Sequence, residues 1–132
     1  MNAFIQGNGY GPSLQSAWYP TFRAYNKEVD IVNPSPVNLF VFVDEHPDSI
    51  NDGCFIVDPT TPTFWGKDLP ASYHVGACGI TFADGHSEIH RWLEKTTSQP
   101  VIEVQITTGF PGTTPVDLDI NWMDRHTSAP VQ

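Results

Sequence analysis

Two short stretches gather most of the side chains able to do chemistry. The first holds Asp44, Glu45, His46, Asp48, Asn51 and Asp52. The second holds His74, Asp84, His86, Glu88 and His90, and together they contain four of the five histidines. Carboxylates with an amide carbonyl suit a hard cation such as calcium, which takes six to eight oxygens. If imidazoles join, zinc or manganese also fits. The first stretch does not follow the spacing of a helix–loop–helix calcium loop. A second reading stands beside the first: Asp and Asn side chains commonly cap turns and accept from backbone N–H groups.

Catalytic alternatives can be tested against the same residues. A Gly-x-Ser-x-Gly elbow and a glycine-rich phosphate loop are both missing. Cys78 has no base in its own segment. Glu45 with Asp84 or Glu88 would make a carboxylate pair for glycoside hydrolysis, but 15 acids offer many accidental pairs. A transition metal on His74, His86 and a carboxylate would acidify a bound water, with Glu45 as general base. That would make a small hydrolase acting on a glycoside or an ester. Trp18, Tyr19, Trp65 and Tyr73 are either a face for carbohydrate or a partner protein, or core.

These residues must be positioned by β structure. Val37–Val43 is a nearly continuous apolar run, which predicts a strand covered on both faces. Further strands are expected at about 54–58, 77–83, 87–93 and 100–107. Asp84-Gly85 between two of these runs predicts a tight hairpin, with Gly85 at positive φ. Residues 21–31 form either a short helix or an extended run, and Pro34 and Pro36 then fix a turn. Residues 119–125 are expected to form one or two helical turns, capped by Asp117 or Asp119. Residues 1–20 read as loop. The expected fold is α+β, mostly β: one domain over 1–132, with a small antiparallel sheet of four or five strands, long loops and little helix.

Composition agrees. Twelve prolines and ten glycines in 132 residues exclude a helical bundle, while 16 aromatics oppose disorder. Lys and Arg number 6 against 15 Asp and Glu, a net charge of −9. Such a surface repels nucleic-acid phosphates and anionic membranes, so neither is an expected partner. No apolar run approaches a membrane span. The opening Met1-Asn2-Ala3-Phe4 carries no signal-peptide pattern and reads as an internal segment. Cys54 and Cys78 allow either one disulfide or two buried thiols.

His74, nine residues, then Asp84-Gly85 and His86 resembles the H-X9-DG domain of bacterial prepilin-type, pseudopilin-like proteins. Phe42–Gly53, Leu69–His74 and Asp119–Met123 are similar to segments around that motif, so the likeness covers about 37–127. The resemblance implies a pilin-like head domain, extracytoplasmic at the cell surface or secreted, here without the family's N-terminal helix. Other pilin-like subunits become the expected partners. It also implies that Asp44, Glu45, Asp52, His74, Asp84 and His86 form one cluster, stabilised by a divalent cation or by a network of His and Asp hydrogen bonds.

Overall fold

The computed structural model describes residues 1–5 and 18–131. The elements in chain order are β1 (Phe40–Val43), β2 (Phe64–Trp65), β3 (Ala77–Phe82), β4 (Ser87–Arg91), β5 (Phe110–Pro111) and α1 (Leu118–Thr127), with one 3₁₀ turn at Glu28–Asp30. β1, β3 and β4 form an antiparallel sheet with β3 in the centre, and β2 and β5 form a separate antiparallel pair. The architecture is mostly β with one α-helix among the described residues. The expected single sheet of four or five strands is instead one of three strands and one of two.

The local signals explain which elements form. β3 and β4 are joined by Ala83-Asp84-Gly85-His86. Gly85 sits at φ 93°, as the turn requires, and its N–H donates to the Phe82 carbonyl at 3.0 Å. β4 alternates: His90 and the following Trp92 turn inward, while Ile89 is 66% exposed. α1 starts where Asp117 accepts from the N–H groups of Asp119 and Ile120 at 3.0 Å each. That is the N-cap satisfying donors that lack an intrahelical partner.

Four expectations are corrected. β1 is covered on one face only, since Phe42 is 54% exposed. Around 54–58 no strand forms: Phe55 makes a single parallel bridge to Asn2, and the Ile56 N–H goes to the Asp68 side chain at 2.6 Å. Around 100–107 no strand forms either: the backbone is irregular, bends at Glu103 (φ 59°) and is exposed almost throughout. Residues 1–5 are not loose loop either. Asn2 is buried and donates to the Phe40 and Thr127 carbonyls, and Phe4 is in the core. The loop expectation for 6–17 lies outside the described residues.

The larger core packs Phe40, Ile80 and Phe82 of the sheet against Trp65, Trp92 and Met123. A smaller one gathers Phe4, Tyr25, Leu39 and Cys54. Cys78 lies in the larger core and Cys54 in the smaller, and both are free thiols. No helix is long and apolar enough to cross a membrane among the described residues.

Candidate functional site

The six singled-out residues fall in three places. Asp44 leaves the end of β1 and faces the start of β3. Its N–H donates to the Gly79 carbonyl at 3.0 Å, and its Oδ2 accepts from the Gly79 N–H at 2.9 Å. His74 Nε2 lies 3.7 Å from the same oxygen, with both side chains about half exposed. A Cβ on Gly79 would come within 2.9 Å of Asp44 Oδ2, so the glycine is what admits the carboxylate. His74 reaches this place through a tight turn in which Val75 (φ 57°) and Gly76 (φ 74°) both take positive φ. The His74 N–H donates across that turn to the Ala77 carbonyl at 3.1 Å.

Asp84 and His86 occupy the opposite end of β3. Asp84 Oδ1 accepts from the His86 N–H at 3.1 Å and faces His86 Nδ1 at 2.5 Å. These contacts hold the Asp84 carboxyl below its usual range. The His86 ring stacks flat on Phe82, with centroids 4.3 Å apart. Between His74 and Asp84 run the six residues of β3, a span of roughly 20 Å at the usual strand rise.

Glu45 and Asp52 belong to a third corner, which also contains Asp68. Glu45 accepts from Ser49 Oγ at 3.0 Å. Burial, then the neighbouring Asp68, pushes the Glu45 carboxyl up to about 7. Burial likewise raises Asp68, which accepts from Ile56 N–H and, at 3.4 Å, from Asn51 Nδ2. Asp52 accepts from the Cys54 N–H at 2.7 Å. Among the described residues, no three His, Cys, Asp or Glu side chains come together in a way that could hold a metal ion. The six as a set do not fit one cation, because β3 separates His74 from Asp84. For the same reason His74 and His86 do not converge on one metal beside Glu45.

What the acids do is visible one by one. Nine of the ten aspartates accept at least one backbone N–H: Asp30, Asp44, Asp48, Asp52, Asp58, Asp68, Asp84, Asp117 and Asp119. Much of the chain is loop, where ladder partners for N–H groups are missing, and a buried N–H must still be paired. Carboxylates supply the acceptors. The tenth, Asp124, has a buried Oδ1 without a partner among the described residues, and burial next to Asp58 raises its carboxyl to about 7.

The sequence reading missed a ring stack between β4 and α1. Trp122 lies between His90 (centroids 3.8 Å) and His126 (3.9 Å). Burial lowers His126, whose Nδ1 sits 2.6 Å from the Trp122 carbonyl oxygen. The four-residue step from Trp122 to His126 on a helix was the available signal. Of the four aromatics considered for binding, Trp65 is 2% exposed and belongs to the core, whereas Trp18 and Tyr73 are exposed. Trp18 and Tyr19 border a cleft of about 480 Å³ that also meets Phe64, Asp58, Lys67 and Asp68. No family model, curated protein or solved structure matches the chain.

Proposed function

We propose that the chain is the head domain of a prepilin-type protein: an extracytoplasmic display unit that is not an enzyme, held together by aspartate and histidine hydrogen bonds. One observation carries the reading. The nine residues between His74 and Asp84 are the Val75-Gly76 turn, all of β3, and Ala83. The motif therefore measures the central strand and ties each of its ends to a different partner. A spacing that gauges a strand is a structural signature, whereas a catalytic or metal-binding pair would bring its two members together. The extracytoplasmic placement rests on the resemblance of the motif. Antibodies raised against this chain should label intact cells of the source, and surface protease should remove the signal. A protein found only in the cytosol, and protected until lysis, would overturn the display role.

A further inference from the structure

The cleft bordered by Trp18 and Tyr19 has a volume of about 480 Å³, within the roughly 300–1,000 Å³ usual for small-molecule sites. Its construction follows from the sequence. In β2, alternation sends Trp65 into the core and leaves Phe64 outward, 40% exposed. Tyr19 packs on the core ring of Phe4, with centroids 5.6 Å apart. Trp18, next to it in the chain, is 65% exposed. Asp68 is buried and accepts from the Ile56 N–H at 2.6 Å. The cleft thus joins an anchored floor to a rim of exposed rings. Such rings offer flat apolar faces beside polar groups, the surface on which the C–H face of a sugar ring lies.

Charge narrows the ligand. Asp52, Asp58 and Asp68 line the cleft, against Lys67 as its one cationic side chain among the described residues. Lys67 joins no ion pair among the described residues, where each such pair is between a histidine and a carboxylate. The carboxylates act on their surroundings. Burial and then Asp58 raise the Tyr19 hydroxyl to about 12, and Asp52 adds to burial in raising Asp68. A neutral sugar leaves this excess of negative charge untouched. An ammonium group offsets it, and an exposed ring face attracts the same cation. We propose that the cleft binds an oligosaccharide of amino sugars whose nitrogens are free ammonium groups. Trp18 and Phe64 lie against the sugar faces, and the aspartates attract the ammonium groups. Two sugar rings in an open cleft make a weak complex, with a dissociation constant of roughly 0.1–1 mM. This site does not depend on the display role.

Isothermal titration calorimetry at about pH 6, where the amines are protonated, tests it. The ligands are the β-1,4-linked glucosamine dimer, its N-acetylated form, cellobiose and tetramethylammonium. The glucosamine dimer should bind at least about 5-fold more tightly than the other three, and added salt should weaken it. Trp18→Ala, at an exposed position, should weaken it roughly 10-fold. Lys67→Glu, also exposed, should tighten it roughly 2- to 5-fold. A glucosamine dimer that does not bind at about 10 mM overturns the site. Equal binding of the acetylated or the neutral sugar overturns recognition by charge, and equal binding of tetramethylammonium overturns the sugar. Binding indifferent to both substitutions overturns this cleft as its location.

Discussion

Replacing Asp117 with alanine is expected to cost about 3–5 kcal/mol, the sum of a lost N-cap and newly unpaired buried donors. Asp117 is fully buried. One oxygen caps α1 through the Asp119 and Ile120 N–H groups. The other accepts from the Thr113 N–H at 2.7 Å and the Thr96 hydroxyl at 2.9 Å. The side chain thus ties the helix start to two loops at once. A truncated side chain leaves three backbone donors and a hydroxyl without an acceptor, and each buried orphan costs ~1–3 kcal/mol. Asp117→Asn should fall between: Oδ1 still caps the helix, but an amide NH₂ then confronts the Thr113 N–H. The urea midpoint reads both, with Asp30→Ala, at an exposed 3₁₀ turn, as the control expected to lose less than ~1 kcal/mol. A loss below ~1 kcal/mol for Asp117→Ala would show that the loops find other acceptors.

The second large effect is a pH dependence with an unusual sign. Glu45 and Asp124 are raised from 4.5 and 3.8 to about 7 in the fold. Between roughly pH 4 and 7 the folded chain therefore holds protons that the unfolded chain has released, and stability falls as pH rises through that window. Each group contributes about 1–2 kcal/mol once the solvent still reaching it is allowed for. The variant Glu45→Gln/Asp124→Asn keeps both sites neutral. It should be more stable than the parent by about 2–4 kcal/mol at pH 8, with the difference nearly gone near pH 4. His126 acts in the opposite sense: its lowered pKa gives stability above its ordinary 6.5 that is lost as pH falls. It is present in both proteins and cancels in the difference. A parent–variant difference that stays flat with pH would refute the buried, protonated carboxyls.

What the residues revealed in advance follows the range of the forces involved. The Asp84-Gly85 hairpin and the Asp117 cap were legible because both are settled within a few residues. The run Val37–Val43 suggested cover on both faces because Phe42 hid the alternation, but a three-stranded sheet with one packed face leaves Phe42 in solvent. The apolar spacing at 100–107 pointed to a strand, but Asp48 accepts from both the Ile102 and the Ile106 N–H groups and Glu103 turns to φ 59°, so the run does not extend. At 54–58 the Asp68 carboxylate, 12 residues away, takes an N–H that a strand would have used. The candidate site was misread for a related reason. A dense set of acids and histidines looks the same whether its members converge on an ion or disperse to separate backbone donors. Only the position of β3 between His74 and Asp84 decides.

A double-mutant cycle on that pair tests the central claim most directly. His74→Ala, Asp84→Ala and the double variant are compared by urea unfolding at pH 7. Because the two side chains sit at opposite ends of β3, their costs should add to within ~0.3–0.5 kcal/mol, the behaviour of independent sites. A coupling above ~1 kcal/mol between His74 and Asp84 would contradict the account, because it would mean that the two residues share a ligand, an ion or a network across the strand.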